Sequence, residues 1–374
     1  MQAKYFNMKI GIDCRIDSTG IGRYNRELVQ NLGKLDSENE YILFVNELGI
    51  FEARENIREV LVGAEHYSFA EQIKFPRILK EEKLDLMHFT HFNAPLLYRG
   101  KSVVTIHDLI LNFYPNKFYN RKRSLKSRFN EFCYKFVIEG ITKRSKKIIA
   151  VSENTKKDLV DILGIHPEKI TVVHNGLSEK FHVIEDQKLL EETREKYGLD
   201  KPFLLYTGVW RSHKNLLRLL EAFGHLQDKI DHYLILTGKP DYPEITDKIE
   251  ELKLEKRIKT VGAVPEEDLL ALYNLAETYV FPSLYEGFGL PPLEAMSCGT
   301  PVVASNITSI PEVCSENALY FDPKNVEDMA EKIHRICTDQ NLREKLVESG
   351  LKHVKNFSWK KMAEETLRVY KSLL

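Results

Sequence analysis

The chain has 374 residues, a length that usually divides into two domains of roughly 150 to 200 residues. Apolar residues make up 43% and charged residues 29%, which excludes a disordered, fibrous or disulfide-dense protein. The net charge of −1 hides an asymmetry, because residues 1–180 carry 29 basic and 23 acidic side chains and residues 181–374 carry 25 and 32.

The first half of the chain alternates short β-branched runs with longer amphipathic stretches. The spacers between most of these runs suit helices, which predicts right-handed βαβ units and a parallel sheet. The candidate strands are Lys9 to Asp13, Tyr41 to Asn46, Leu84 to Phe89, Ser102 to His107, Lys147 to Val151 and Ile170 to His174.

A second series follows the charged, strandless stretch Ser178 to Pro202. We therefore expect an α/β fold with two Rossmann-like doubly wound parallel-sheet domains, over residues 1–180 and 181–355. Open parallel sheets bind ligands at the carboxyl ends of their strands, so two such edges facing each other would form a cleft. The candidate strands of this half are Phe203 to Thr207, Tyr233 to Thr237, Ile258 to Val261, Thr278 to Pro282, Pro301 to Ser305 and Ala318 to Phe321.

A glycine pair follows the first candidate strand. Gly20 and Gly22 precede a helical pattern that begins at Asn25. Glycines before a helix let backbone N–H groups approach a phosphate, and the helix dipole favours its negative charge. A plain turn between strand and helix is the alternative, since Gly-x-Gly is only part of the dinucleotide-binding pattern.

His107 and Asp108 end the apolar strand that starts at Ser102. Because this is the edge where ligands bind, we expect His107 to donate a hydrogen bond to a substrate hydroxyl and Asp108 to orient the ring. A histidine whose hydrogen bonds are satisfied locally is the alternative.

Two cations lie between a strand and a helix start in the second half. Arg211 and Lys214 could neutralise a diphosphate at the predicted cleft. A pair of solvated loop side chains is the alternative.

The most informative segment runs from Phe281 to Met296. Glu286 lies in a glycine-rich loop after a strand, and Glu294 is expected about two turns into the following helix. Carboxylates so placed can accept hydrogen bonds from two neighbouring sugar rings. The apolar neighbours of Glu294 indicate burial, which disfavours a solvated helix with spaced glutamates.

The sequence has no Asp-x-Asp pair, the usual holder of a divalent ion against a diphosphate. Arg211, Lys214 and the glycine pair would have to replace the metal, so we expect neither a metal nor another cofactor. The five cysteines are scattered and never in Cys-x-x-Cys spacing, which argues against a disulfide framework and a zinc site.

A basic segment interleaved with aromatic residues spans residues 113–147. Within 116–147 there are eleven basic residues and only two acidic ones, Glu131 and Glu139. A helix of this composition could lie on anionic lipid and meet a lipid-linked acceptor. The main alternative is a solvated helix face. Binding of nucleic acid is disfavoured because no recognised nucleic-acid motif accompanies the basic residues. With no span-length apolar run and no secretory signal, we expect a cytoplasmic protein with peripheral contact at the inner face of the membrane.

Together these motifs resemble the retaining glycosyltransferases of family 4, which have the GT-B fold of two Rossmann-like domains. The resemblance runs almost end to end. It is most specific in Glu286-x7-Glu294 within Glu-Gly-Phe-Gly-Leu-Pro, followed by Cys298 to Ser305 and Ile310 to Val313. It also implies that a helix over residues 356–374 crosses back to the first domain.

The resemblance assigns roles to the two carboxylates and the loop between them. Glu294 would bind the ribose hydroxyls of a nucleotide sugar, and Glu286 would contact the transferred sugar. The sugar or the distal phosphate would meet the N–H groups of Gly287, Phe288, Gly289 and Leu290.

It also assigns roles to the cations, the glycines and the histidine. Lys214 would bind the diphosphate, with Gly20 and Gly22 against it from the other domain. His107 would bond the donor sugar and help to stabilise the transition state. Arg211 is the less secure phosphate ligand, because the common family loop reads Gly-Arg-Leu where this chain has Gly208-Val209-Trp210.

The resemblance is greatest to bacterial mannosyltransferases that build O-antigen or other surface polysaccharides. It implies GDP-mannose as the donor and a glycan or lipid-linked glycan as the acceptor. The resemblance also implies front-face attack by the acceptor, with the departing diphosphate accepting the acceptor's proton. Such a reaction needs no protein nucleophile. The alternatives are a UDP-sugar-dependent transferase, a nucleotide-sugar 2-epimerase of the same fold, and a non-catalytic nucleotide-sugar-binding partner of another transferase.

Overall fold

The computed structural model describes residues 7–64, 66, 68–114, 125–238 and 242–373. Within these ranges the chain forms two compact units. The first holds the described residues of Met1–Phe113, Arg121–Gly176 and Phe357–Leu374, and the second holds those of Tyr114–Asn120 and Leu177–Asn356.

A parallel sheet forms the centre of the first unit. Its strands are β1 (Lys9–Asp13), β2 (Glu40–Val45), β3 (Ile57–Leu61), β4 (Leu86–Phe89), β5 (Ser102–Ile106), β6 (Lys147–Ala150) and β7 (Ile170–Val172). They lie in the order β3-β2-β1-β4-β5-β6-β7. The sequence did not predict β3, because Arg58 and Glu59 interrupt its apolar pattern, as an edge strand tolerates.

Amphipathic helices cover this sheet. They are α1 (Thr19–Leu35), α2 (Phe69–Glu81), α3 (Ile110–Phe113), α4 (Leu125–Arg144) and α5 (Glu153–Leu163). In α1 the buried Tyr24, Leu28 and Leu32 recur every four residues, so one face of the helix packs on the unit.

The second unit repeats the design with its own parallel sheet. Its strands are β8 (Phe203–Tyr206), β9 (Tyr233–Thr237), β10 (Ile258–Gly262), β11 (Thr278–Phe281), β12 (Val302–Ser305) and β13 (Ala318–Phe321). The order β10-β9-β8-β11-β12-β13 matches that of a Rossmann sheet. In each sheet the strand order therefore changes direction once. This switch point lies between β1 and β4 in the first sheet and between β8 and β11 in the second.

The helices of the second unit pack on both the sheet and one another. They are α6 (Gln187–Tyr197), α7 (Leu216–Gly224), α8 (Pro243–Glu251), α9 (Glu266–Leu275), α10 (Leu290–Ser297), α11 (Ile310–Cys314), α12 (Val326–Thr338) and α13 (Gln340–His353). Leu219, Leu220 and Phe223 of α7 join Ile333 and Ile336 of α12 in one buried apolar cluster with the sheet.

The last helix, α14 (Trp359–Lys371), belongs to the first unit and packs against α1. Ser358 caps its start by accepting a hydrogen bond from Lys361 N at 3.1 Å. Met362, Thr366 and Tyr370, spaced by four residues, form part of its buried face.

Candidate functional site

Two predicted site residues meet at the switch point of the second sheet. β8 and β11 lie side by side there, and Lys214 and Glu286 each lie in the loop that follows one of them. Lys214 Nζ donates to Glu286 Oε1 at 2.7 Å, with the two side chains only 16% and 15% exposed. The structure thus joins the predicted phosphate ligand and the predicted sugar ligand in a mostly buried ion pair.

The segment after β12 fixes the loop that carries Glu286. Thr308 Oγ1 accepts from Glu286 N at 3.3 Å, and the Ser309 hydroxyl lies 3.0 Å from Glu286 O and 2.9 Å from Phe288 O. Gly289 then takes a φ of 101°, in the left-handed region, directly before α10. The loop from Gly287 to Leu290 therefore leads into a helix N-terminus, where the dipole favours an anion.

Asn215 supports the loop that carries Lys214, and the sequence analysis did not single it out. It is buried, has a φ of 61°, and donates through Nδ2 to Pro282 O at 3.0 Å and to Pro323 O at 2.7 Å. These bonds tie the Lys214 loop to the segments that directly follow β11 and β13. An asparagine directly before the apolar run of α7 is a helix-start signal that could have identified it.

Arg211 lies three residues before Lys214, at the entry to the turn Ser212–Lys214. Its backbone is extended, with a φ of −146°, and its carbonyl accepts from Lys214 N at 2.9 Å. The residue is half-buried. The two predicted cations thus belong to one turn, and the ammonium of Lys214 is the group that reaches Glu286.

Glu294 lies deeper than Glu286 and is 5% exposed. It is the fifth residue of α10, just past the first turn and not two turns in as expected, because the left-handed Gly289 delays the start of the helix to Leu290. Its Oε2 accepts from the Tyr273 hydroxyl at 3.2 Å. Burial raises the pKa of Tyr273 well above its usual range, so the phenol keeps its proton and remains a donor.

In the first unit, Gly20 and Gly22 lie inside α1 and not in a loop ahead of it. The helix begins at Thr19, and Gly22 N already donates to Ser18 O at 3.0 Å. A Cβ on Gly22 would lie 2.1 Å from Asp17 O, whereas one on Gly20 would meet nothing within 4 Å. Gly22 therefore permits a close backbone contact, while Gly20 borders open space at the helix N-terminus.

His107 follows β5 directly and is half-buried. Its Nε2 lies 2.9 Å from the carbonyl oxygen of Thr90. Burial lowers the pKa of His107, against smaller opposing effects of the Thr90 hydrogen bond and the Asp108 charge. The neutral ring has one N–H, and a carbonyl oxygen can only accept, so that proton lies on Nε2.

This tautomer reverses the expected direction of the His107 hydrogen bond. With Nε2–H donated to Thr90, Nδ1 is the nitrogen that can face a ligand, and it accepts. Asp108 Oδ1 accepts from Ile110 N at 2.9 Å, at the start of α3, so Thr90 and not Asp108 supplies the hydrogen bond that orients the ring.

One group of side chains among the described residues has metal-ligand spacing. The ligand atoms of His232, Glu277 and Cys337 lie within 4.8 Å of one another. The group lies at the amino edge of the second sheet, the edge opposite Glu286, and Arg343 Nη1 is 3.4 Å from Glu277 Oε1. A guanidinium thus already neutralises its carboxylate.

Comparison with known proteins decides the family. Residues 18–181 match the model described as Glycosyltransferase Family 4, and residues 190–353 match Glycosyl transferases group 1. O-antigen chain mannosyltransferase B of Escherichia coli is 30% identical over 377 residues, which cover 95% of this chain and 96% of that protein. The chain belongs to the group 1 glycosyltransferases.

Solved structures share the fold of this glycosyltransferase. Sucrose-phosphate synthase from Thermosynechococcus elongatus superposes with a TM-score of 0.79 at 20% identity, covering 98% of this chain and 99% of that chain. Anabaena HepE, solved with UDP and glucose, gives 0.77 at 17% identity, covering 98% and 100%. With the two doubly wound sheets, these matches confirm the predicted GT-B fold.

Proposed function

We propose that the chain is a retaining, metal-independent mannosyltransferase that transfers mannose from GDP-mannose to a glycan or lipid-linked glycan of a surface polysaccharide. The observation that carries this proposal is the Lys214–Glu286 pair at the switch point, followed along the chain by the buried Glu294 just past the first turn of α10. The similarity to the E. coli O-antigen mannosyltransferase along nearly the whole chain supports mannose as the sugar.

Each group at the second sheet then has one task. Glu294 accepts hydrogen bonds from the ribose hydroxyls, and its Tyr273 partner holds the carboxylate in place. Glu286 accepts from hydroxyls of the transferred sugar. Lys214, with Arg211 in support, neutralises the diphosphate, and the N–H groups of 287–290 bond its distal oxygens.

Two groups of the first unit also have a part in the proposed function. Gly20 lets the diphosphate approach the N-terminus of α1, and the helix dipole there offsets its charge. Nδ1 of His107 accepts a hydrogen bond from a hydroxyl of the donor sugar. Because a neutral Nδ1 has no proton to donate, it favours a sugar hydroxyl over a carboxylate at this position.

Donor binding would exchange the partners of Lys214. Glu286 neutralises Lys214 in the structure, and a diphosphate at the switch point competes for the same ammonium. When the Lys214 ammonium pairs with a phosphate oxygen instead, the Glu286 carboxylate becomes available to the sugar hydroxyls. As the bond between the anomeric carbon and the phosphate oxygen breaks, the acceptor hydroxyl oxygen bonds that carbon on the same face and gives its proton to the departing diphosphate. Cations and helix N-termini stabilise the charge on the diphosphate.

Contact with an anionic membrane is part of the same proposal, through residues 113–147. Within the described part of that segment, Phe132 and Phe136 of α4 are 67% and 60% exposed. Their rings lie 6.5 Å apart and nearly parallel, beside Lys135. Residues 115–124, with several of the basic side chains, lie outside the described residues. No described helix has both the length and the apolar composition needed to cross a bilayer.

Transfer in the presence of EDTA tests the proposal. Purified protein, GDP-mannose and octyl α-mannoside should give a product whose new linkage is α by NMR, with GDP bound at least 10-fold more tightly than UDP by calorimetry. Glu294→Gln should weaken GDP binding by roughly 10- to 100-fold, the cost of losing a charged hydrogen-bond acceptor. The exposed Glu316→Gln is the matched control and should behave as wild type.

The other outcomes identify the alternatives. Tighter binding of UDP would replace GDP-mannose by a UDP-sugar donor. Conversion of UDP-N-acetylglucosamine without an acceptor would indicate an epimerase. Transfer that appears only after Mn²⁺ is added, or a β-linked product, would overturn the proposed mechanism.

A further inference from the structure

A buried chain of hydrogen bonds runs from α14 through side chains of the neighbouring strands β4 and β5 to α1. The Tyr370 hydroxyl lies 2.6 Å from His88 Nδ1, and His88 Nε2 lies 2.8 Å from Thr105 Oγ1. Thr105 Oγ1 is 3.2 Å from the Tyr24 hydroxyl on α1. Thr366, again on α14, is a second hydrogen-bond neighbour of that hydroxyl. The chain thus starts and ends on the same helix.

The hydroxyls at the far end of the chain share their protons. The Tyr24 hydroxyl has one proton and two hydroxyl neighbours, Thr105 and Thr366, so it donates to one and accepts from the other. Thr366 Oγ1 also lies 3.6 Å from Met362 Sδ.

The histidine links the two ends of the chain. Burial lowers the pKa of His88 to about 3, so the ring is neutral and carries one N–H. One ring nitrogen therefore donates and the other accepts, and the Tyr370 and Thr105 hydroxyls each bond one of them. Because every member bonds the next, the chain holds the Tyr24 side chain in place.

Tyr24 is the member of the chain that contacts the proposed site. Its ring lies 4.9 Å from the His107 ring, with the planes at 87°, and it is 1% exposed. His107 is therefore held from two directions, by Thr90 at Nε2 and by the Tyr24 ring. Thr90 is itself fixed, since its hydroxyl donates to Asp13 O at 2.6 Å.

We propose that Tyr24 is a positioning residue that holds His107 with Nδ1 available to the donor sugar, and that α14 sets Tyr24 through this hydrogen-bond chain. The role of His107 in transfer rests on the proposed function. The placement of the ring does not, because it follows from contacts within the first unit alone. Without the Tyr24 ring, the imidazole would gain water and freedom to turn away from Thr90.

The ring of His107 can be observed directly by NMR. In wild type with 15N-labelled histidine, we expect the His107 ring to be neutral at pH 7 with its proton on Nε2, and its carbon-bound protons to show contacts to Tyr24 ring protons. Tyr24→Leu should mix the two tautomers and move the pKa of His107 toward its ordinary value. Tyr24→Phe, which keeps the ring, should preserve the Nε2–H tautomer.

Kinetics supply the second measurement. Tyr24→Leu should lower kcat for mannosyl transfer by at least 10-fold with KM for the donor within 3-fold, and Tyr24→Phe, which keeps the ring but cuts the hydrogen-bond chain, should give an intermediate kcat. Tyr370→Phe should weaken the chain and give an intermediate kcat. Tyr233→Leu, at the amino end of β9 in the other unit, is the control and should leave kcat unchanged.

The two measurements separate the possible failures. A wild-type His107 ring with its proton on Nδ1, or with no contact to Tyr24, overturns the positioning proposal without any variant. So does a Tyr24→Leu protein whose His107 spectrum is that of wild type. An altered spectrum with unchanged kcat would uphold the positioning of the ring and count against the role of His107 in transfer.

Discussion

Glu286 has two partners in the proposed reaction, Lys214 and the sugar. Its carboxylate pairs with Lys214 at 2.7 Å and therefore competes with the diphosphate for that ammonium. Its removal should affect product binding and catalysis in opposite directions, which distinguishes a reacting-site carboxylate from one that only supports the fold.

Glu286→Gln should bind GDP about 3-fold more tightly than wild type, because the diphosphate no longer competes with a carboxylate for Lys214, and 3-fold corresponds to about 0.7 kcal/mol. The same variant should lose roughly 100-fold in transfer, since the neutral amide stabilises the charged transition state poorly. Calorimetry and turnover measure the two effects, with Glu316→Gln as control. GDP binding that weakens along with transfer would refute the exchange of partners at Lys214.

His88 makes the stability of the protein depend on pH. Burial lowers its folded pKa to about 3, whereas the unfolded histidine titrates near 6.5. Below pH 6.5 the histidine binds a proton in the unfolded state but not in the folded state. The free energy of unfolding is therefore highest above pH 6.5 and decreases as the pH falls toward 3. For one proton, the free energy of unfolding changes by about 1.4 kcal/mol per pH unit.

His88→Asn should therefore lower Tm at pH 7.5, where the buried hydrogen bonds are intact, and the gap to wild type should shrink by pH 5. Thermal unfolding at a series of pH values gives both curves. His166→Asn, at an exposed position, should run parallel to wild type. A gap that stays constant between pH 7.5 and pH 5 would show that His88 does not carry this dependence.

The first turn of α1 contains a steric contrast between its two glycines. Gly22 faces the Asp17 backbone at a distance that no Cβ can occupy, and Gly20 faces open space. The proposed function therefore makes stability depend on Gly22 and donor binding on Gly20.

Gly22→Ala should lower Tm by roughly 4 to 8 °C, as expected for an overpacked contact with backbone that cannot move aside. Gly20→Ala should keep the Tm of wild type and yet lower transfer about 10-fold or more, because its methyl group would stand where the diphosphate approaches the helix. The two alanine variants serve as each other's control. A Gly20→Ala enzyme with full activity would remove this helix from the proposed site.

Local sequence patterns predicted the elements better than the contacts between them. Twelve strands were recognised because buried parallel strands are apolar runs, whereas Arg58 and Glu59 obscured β3. The glycine pair identified the right segment but not its conformation, since the backbone bond of Gly22 to Ser18 starts α1 earlier than the apolar pattern does.

The partners of the candidate site residues required the folded chain. Tyr24 lies just before the predicted helix start at Asn25, and its partner Thr105 is 81 residues away. The direction of the His107 hydrogen bond depends on the carbonyl of Thr90, which no motif marks. By contrast, Glu286 and Glu294 were identified from residue types in a single loop and helix.

The proposed membrane contact concerns the protein as a whole. Phe132→Ser with Phe136→Ser should lower partitioning onto vesicles with 30% phosphatidylglycerol by at least about 10-fold, since two exposed aromatic rings lose their apolar burial. Vesicle flotation measures this, and raising the salt should weaken wild-type binding as well. Leu97→Ser, at another exposed apolar position, is the control. Equal flotation of wild type and double variant would exclude this face of α4 as the contact.

A crystal structure with intact GDP-mannose, grown without divalent metal, tests most directly whether two carboxylates and loop cations hold the activated sugar. The expected result has the Glu294 carboxylate within hydrogen-bond distance of the ribose hydroxyls, Glu286 on the mannose and Lys214 on a diphosphate oxygen. A nucleotide sugar bound away from Glu294, or one that enters the crystal only with a metal ion on its diphosphate, would contradict it.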